Sequence, residues 1–210
     1  TDESNAGSFG PQELFNAQSH RWLVQFANKS HASTTCLPKL SHLITFAQMN
    51  LYTQRLELRL QTPSEALKWV DSLSPDVKRE ISAEWLARLR NATAADPWTC
   101  TFTIIEKLSR LSVGSCGFKG PPLESGSVEI AYGIDDPYRC NGYATESARS
   151  LVEFARNVEG VASIRAHTKN ENPASERVLT KAGFSLVGEF DDPEDGLVNR
   201  WQIDFRRNVR

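Results

Sequence analysis

No stretch of this chain approaches the ~18 consecutive apolar residues that a membrane-spanning helix needs. Its first residues also lack the charged, apolar and small-residue succession of a secretory signal. An excess of charge of one sign is missing too: 24 Lys and Arg against 26 Asp and Glu leave a net charge of −2. That balance gives no support for nucleic acid or an anionic membrane as an obligate partner. Cysteine and histidine are scarce, at four residues each. Cys36, Cys100, Cys116 and Cys140 form no Cys-x-x-Cys pair and stand beside no paired His ligands, so zinc is not expected and no metal is assigned. Free thiols in a cytoplasmic protein are the expectation, although Cys100 and Cys116 could face each other on neighbouring strands. A nucleotide dehydrogenase is excluded, because Gly-x-Gly-x-x-Gly with a following ribose-binding acidic strand does not occur.

What is present is 40% hydrophobic and 24% charged over 210 residues, enough for one ordinary domain with a sizeable core. Residues 1–48 differ from the rest. They open on a Ser/Gly/Asn-rich stretch and hold only six charged residues but three of the four histidines, His20, His31 and His42. Pro38 interrupts any single helix through all three, so their equal spacing is read as chance. Pro11 to Lys29 can form a helix with Leu14, Ala17, Trp22 and Phe26 on one side. The only methionine, Met49, directly precedes Asn50-Leu51-Tyr52-Thr53-Gln54-Arg55-Leu56-Glu57-Leu58-Arg59. Residues 1–48 therefore read as an appended arm, partly helical or mobile, and 49–210 as the functional domain.

Within the domain the pattern predicts α/β structure. Asn50 to Arg59 reads as a first strand, with Leu56, Leu58 and Leu60 alternating with charge over Arg55 to Gln61. Thr62-Pro63-Ser64-Glu65 is a helix start with a capping box. A second helix is expected over Pro75 to Arg90. Strands follow over Trp98 to Lys107 and Leu111 to Lys119, joined at Leu108-Ser109-Arg110. Next come an apolar strand, Val128 to Ile134, a helix from Ala144 to about Val158, and a strand over Val161 to Thr168. A helix over Pro173 to Ala182 stops at Gly183, before a hairpin of Phe184 to Phe190 and Leu197 to Phe205.

Arg139-Cys140-Asn141-Gly142-Tyr143-Ala144 lies between the apolar strand and its helix. A turn there can hold phosphate, because the first helical N–H groups lack partners and the macrodipole is positive. Gly142 and Ala144 let an anion approach, and Arg139 can add a charged contact. This Arg-x-x-Gly-x-Ala pattern resembles the acetyl-coenzyme A pyrophosphate loop of the GNAT N-acetyltransferase superfamily. Thr53-Gln54-Arg55-Leu56-Glu57-Leu58-Arg59, Gly142-Tyr143-Ala144-Thr145-Glu146-Ser147-Ala148 and Asn172-Pro173-Ala174-Ser175 are similar to blocks of the branch containing the ribosomal-protein N-terminal acetyltransferases. The resemblance implies a single GNAT domain with a mixed, mostly antiparallel sheet of about seven strands and about four helices. It also implies direct acetyl transfer from acetyl-CoA to an amine, either a protein or peptide N-terminus or a small-molecule amine, in a monomer or homodimer. A coenzyme A-binding module without catalysis is the alternative. Cys140 departs from the family, where Gly is frequent.

Such a transfer needs the amine deprotonated, the thioester carbonyl polarised and the thiolate reprotonated. Glu129, a carboxylate in an apolar strand, is costly to bury unless it is paired or faces a wet cleft. It is either a base acting through water or a structural Glu paired with Lys119 or Arg165. Ser175 is the candidate acid or a plain first-turn serine, with Tyr132 and Tyr143 behind it. By resemblance, the backbone of Ile130 to Ile134 would meet the pantetheine arm, and Gly133 would carry a bulge or a packing contact. Cofactor contacts would then come from Ile134, Arg139, Cys140, Asn141, Gly142, Tyr143, Ala144 and Asn172. Asn172 can equally cap its helix. His167 is read as structural rather than catalytic, and the acidic run 191–195 as a solvated turn rather than a steering surface.

Overall fold

In the computed structural model, residues 49–79, 81–192 and 196–205 are described. The expected N-terminal arm, with its helix and three histidines, lies outside them. Among the described residues, eight strands form one sheet in the order β1-β2-β3-β4-β5-β6-β8-β7. In chain order they are β1 (Asn50–Tyr52), β2 (Leu56–Leu60), β3 (Phe102–Glu106), β4 (Ser112–Phe118), β5 (Ser127–Ile134), β6 (Ser163–Lys169), β7 (Ser185–Asp192) and β8 (Gly196–Asp204). The helices are α1 (Pro63–Ser72), α2 (Pro75–Arg79), α3 (Ala83–Asn91), α4 (Tyr143–Arg156) and α5 (Pro173–Ala182). Every strand pair is antiparallel except β5–β6, the pair bridged by α4.

One face of the sheet is built from alternate residues. Leu56, Leu58 and Leu60 of β2, Phe102 and Ile104 of β3, Cys116 and Phe118 of β4, Val128 and Ile130 of β5, and Ile164 and Ala166 of β6 are all buried. The period-2 pattern alone puts them on a common side. Helix α4 supplies Ala148, Leu151, Val152 and Ala155, and α5 supplies Leu179, so both helical stripes join this core. Each fully buried Leu or Phe here is worth roughly 1.5–3 kcal/mol. Trp98, Phe118 and Phe154 pack as tilted rings between strand and helix with centroids 4.8, 5.5 and 6.0 Å apart. The helix boundaries follow their capping residues. Thr62 and Glu65 form the reciprocal capping box of α1, Asn172 accepts from the Ser175 N–H at 3.1 Å at the head of α5, and left-handed Gly183 closes α5.

Four expectations need correction. The stretch read as one opening strand is a tight hairpin: β1 and β2 pair Asn50↔Arg59 to Tyr52↔Glu57 around a turn at 53–55. The expected helix over Pro75 to Arg90 is two, because Ser82 caps a new helix by accepting from the Trp85 N–H at 3.3 Å. Strand β3 starts at Phe102 rather than Trp98. Asp96 holds the preceding residues in a turn, its carbonyl accepting from Cys100 N–H at 2.7 Å and its carboxylate from Thr99 Oγ1 at 2.8 Å. Finally, the bulge expected at Gly133 falls on β4, where Val113 is skipped between Ile104↔Gly114 and Ile105↔Ser112. Between β4 and β5 the register is unbroken.

Cys100 and Cys116 are buried free thiols, and burial pushes both thiols up. Gly114 is where the bulged strand meets β5 most closely. A Cβ there would stand 2.2 Å from the Gly133 carbonyl oxygen and 2.9 Å from Ile134 Cα, neither of which can move without opening the β4–β5 ladder. Gly114→Ala is expected to lower unfolding free energy by about 2 kcal/mol or more, measured by denaturant titration. An unchanged midpoint would contradict this packing.

Candidate active site

The β5–β6 register runs Ser127↔Ser163, Val128↔Ile164, Glu129↔Arg165 and ends there. Strand β5 continues to Ile134 beside β4, and β6 continues to Lys169 beside β8. The odd residues of β5 bond to β4, as Lys119 N–H to Glu129 O at 2.8 Å shows. Alternation therefore turns the N–H and C=O groups of Tyr132 and Ile134 toward the side from which β6 has departed. The two strands part at Glu129, and an open edge of β5 backbone runs from there to Ile134.

The two faces at this parting differ. On the core side, Tyr132 Oη lies 2.8 Å from Ser175 Oγ and 3.3 Å from the Ser175 carbonyl. Burial raises the Tyr132 phenol to about 12, and the contact with Ser175 lowers it only in part. The two hydroxyls that were rival acid candidates thus form one hydrogen-bonded pair. Asn172 takes the capping role, its Oδ1 engaged by Ser175 N–H.

On the opposite face Glu129, whose side chain is 15% exposed, pairs with Lys119 Nζ at 2.8 Å and His167 Nδ1 at 3.0 Å, both at Oε1. Arg200 Nε donates to His167 Nε2 at 3.2 Å. That bond makes Nε2 the acceptor, so Nδ1 carries the proton and donates to Glu129. The Arg200 guanidinium lies 4.0 Å over the Phe190 ring, against which His167 also stacks. Arg165 adjoins Glu129 in register; desolvation by burial holds its pKa below the usual guanidinium range, against the pull of Glu129, while Arg200 adds to the lowering. The expected pairing with Lys119 is present, so the Glu129 carboxylate is both paired and placed where the strands part. Asp192, one of the acidic run, is buried rather than solvated; residues 193–195 lie outside the described set.

At the far end of the open edge, a 3₁₀ turn (Asp136–Tyr138) leads into Arg139 to Gly142. Arg139 is folded back, with Nη2 2.6 Å from Asp136 and Nε donating to the Ile134 carbonyl at 3.3 Å. Cys140 is left-handed (φ 63) and exposed, a conformation that favours Gly and costs another residue about 1–2 kcal/mol. Gly142 (φ 80) is the N-cap of α4 and has no side chain to cap it. The N–H groups of Tyr143, Ala144 and Thr145 are consequently the orphan donors of this helix.

The loop's carbonyls are tied back. Asn141 Nδ2 donates to Tyr138 O at 3.1 Å and to Arg139 O at 3.0 Å, while Arg55 Nη1 donates to Asn141 O at 3.0 Å. An uncapped helix start whose nearby acceptors are turned away fits an anion.

Arg55 was not singled out as a site residue in the sequence. It sits in the β1–β2 turn and reaches Glu146 in the first turn of α4, with Nε at 2.8 Å, Nη2 at 2.7 Å and its own backbone N–H at 2.9 Å. The signal was there, because Arg55 and Glu146 both lie in the blocks that resemble the acetyltransferase branch. What was missing was the hairpin that brings them together.

A model of the acetyltransferase (GNAT) domain matches residues 48–185, well over half of the chain. The protein belongs to the GNAT acetyltransferase family. It is 33% identical over 103 residues to the uncharacterized N-acetyltransferase YjdG of Bacillus subtilis (strain 168), covering 49% of this chain and 59% of that relative, less than two thirds of its length. The fold is similar to that of the ribosomal-protein-S5-alanine acetyltransferase of Vibrio fischeri, with a TM-score of 0.57 and 14% identity over 76% of this chain and 98% of that one. It is also similar to aminoglycoside acetyltransferase AAC(6')-Ib in complex with coenzyme A and kanamycin, with a TM-score of 0.51 and 19% identity over 71% and 94%.

Glu146 supplies a test of the loop's attachment. Desolvation by burial raises its pKa, but hydrogen bonds from Thr53 and Arg55 and the Arg55 charge outweigh this and hold the carboxyl below its ordinary 4.5. A depressed folded-state pKa contributes stability above the unfolded value that is lost as pH falls through the folded one. Glu146→Gln is expected to cost about 1 kcal/mol at pH 7, and the difference from wild type should vanish as pH drops well below 4.5. Denaturant melts across pH would show a constant difference if this coupling were absent.

Proposed function

We propose that this protein transfers an acetyl group from acetyl-CoA to a primary amine by direct attack in a ternary complex. The observation that carries this reading is the parting of β5 from β6 at Glu129, with an uncapped, anion-suited loop at the far end of the open β5 edge. The N–H groups of Gly142 to Thr145 would hold the pyrophosphate, and the Tyr132 and Ile134 backbone would receive the pantetheine amides. Ile134's carbonyl already takes a bond from Arg139, which makes Arg139 an organiser of the loop as much as an anion contact.

Acetyl-CoA supplies an activated thioester, whose C–S bond breaks as the amine's C–N bond forms. Glu129 would take the amine proton through a water, with Lys119 and His167 fixing its orientation. The Tyr132–Ser175 pair would return a proton to the thiolate, with Tyr132 backing the Ser175 hydroxyl. Asn172 serves this arrangement by fixing the turn that carries Ser175.

The charges around Glu129 bear on the acceptor. Lys119, Arg165 and Arg200 place three cations about one carboxylate, which disfavours an amine arriving as ammonium. An α-amino group, with a pKa near 7.7–8.0, is far more often neutral at pH 7 than an alkylamine near ~10.4. A peptide N-terminus is therefore the favoured acceptor over a polyamine or amino sugar.

Coenzyme A release measured with acetyl-CoA and a panel of peptides, polyamines and aminoglycosides tests this. Peptide-dependent turnover is expected, with Glu129→Gln lowering kcat/KM about 10²–10³-fold and wild-type kcat/KM rising with pH toward the acceptor's pKa. Binding of acetyl-CoA without turnover on any amine would instead support the module that binds coenzyme A without catalysis. A Glu129→Gln variant at full rate would remove Glu129 from the base role.

A further inference from the structure

Arg55 lies in the β1–β2 turn, outside the loop that its guanidinium touches. Three of its contacts go to Glu146, at the first turn of α4, through Nε, Nη2 and its own backbone N–H. Thr53 Oγ1 adds a fourth contact from the same turn. The guanidinium also lies 4.9 Å from the centroid of the Tyr143 ring. With Nε and Nη2 held by the carboxylate, Nη1 is aimed at the Asn141 carbonyl, 3.0 Å away.

That last bond sets the loop's polarity. The Asn141–Gly142 peptide is trans, so its C=O and N–H point in opposite directions. Fixing the Asn141 oxygen on Arg55 turns the Gly142 N–H away from Arg55, which keeps it a donor at the N-cap of α4, next in the chain to the Tyr143 and Ala144 N–H groups. Rotation of this peptide changes ψ of Asn141 and φ of Gly142, and Gly142, left-handed at φ 80, has no Cβ to resist it. A rotated peptide would present a carbonyl oxygen to the anion and place a lone pair where a donor is required. Asn141 Nδ2 holds the carbonyls of Tyr138 and Arg139, but only Arg55 reaches the Asn141 carbonyl among the bonds described. Glu146 has a second effect, because it neutralises Arg55 and keeps it at the turn instead of on the ligand.

We propose that Arg55 is a positioning residue for the phosphate loop, holding the Asn141–Gly142 peptide with its N–H toward the coenzyme A pyrophosphate. This rests on the reading of residues 139–144 as that loop. It is a matter of orientation and not of net charge, which is what separates Arg from Lys at this position. A lysine keeps the cation near the loop but cannot engage Glu146 and the Asn141 carbonyl through a fixed fork.

The test is coenzyme A binding by calorimetry to wild type, Arg55→Lys and Arg55→Ala, together with steady-state kinetics on acetyl-CoA and on S-acetylpantetheine, a donor without pyrophosphate. Both variants are expected to bind coenzyme A about tenfold more weakly, the worth of one charge-assisted hydrogen bond. The KM for acetyl-CoA should rise in parallel while kcat at saturation stays close to wild type. With S-acetylpantetheine the variants should keep most of the wild-type kcat/KM, which also shows that they are folded. Arg55→Lys binding like wild type would overturn the proposal in favour of simple charge attraction. Equal losses on both donors would overturn it in favour of a general structural role. Failure of wild type itself to bind coenzyme A would sink the reading of the loop, and this inference with it.

Discussion

Hydrogen bonding between β5 and β6 stops after the pair Glu129↔Arg165, although both strands continue. The strands can separate because each stays satisfied on its outer side, β5 by β4 from Gly114↔Ile134 to Phe118↔Ile130 and β6 by β8 from Ser163↔Asp204 to Lys169↔Val198. The cost is an inner edge of polar backbone that needs a partner. A ligand carrying amide groups, such as a pantetheine arm, meets that need without disturbing the core below. Gly114 contributes from the neighbouring strand, where the absence of a side chain lets the bulged β4 close on β5 just opposite the open edge.

The same parting divides the chemistry. On the core face, two hydroxyls sit together in a low-dielectric setting where the phenol stays protonated. On the other face a carboxylate is held between Lys119 and His167, with Arg165 adjoining it in register and Arg200 behind His167. Environments that separate proton donors from acceptors in this way are what a transfer between thioester and amine requires. The pairing of Glu129 meets the cost of a carboxylate in this strand, and under the proposed reaction it would also fix that carboxylate where the reactants meet.

Most of the fold was legible because its signals are local. Capping at Thr62 and Asn172, the C-cap at Gly183 and the alternation through β2 all depend on neighbours within a few residues. The failures share a cause. Asn50 to Arg59 keeps a strand-like composition straight through a turn, so its reversal at Thr53-Gln54-Arg55 left no mark of Gly or Pro. Likewise Ile81, Trp85 and Leu89 continue a helical spacing across Ser82, where the cap starts a new helix. At the site, residues near the loop and along β5 were found because they lie close in sequence. Arg55, Thr53 and Arg200 were not, because only long-range pairing brings them to it. Of the bulge and the packing contact left open for Gly133, the bulge lies on the neighbouring strand, and Gly114 there makes the close approach to Gly133.

The central claim is that one ligand spans the loop and the open edge of β5. Amide hydrogen exchange with and without acetyl-CoA reads both places at once. Slower exchange is predicted at Gly142 to Thr145 and, together with it, at Tyr132 and Ile134, while the β2–β3 ladder stays unchanged. Protection at the loop alone, or at neither place while acetyl-CoA is bound, would contradict the account.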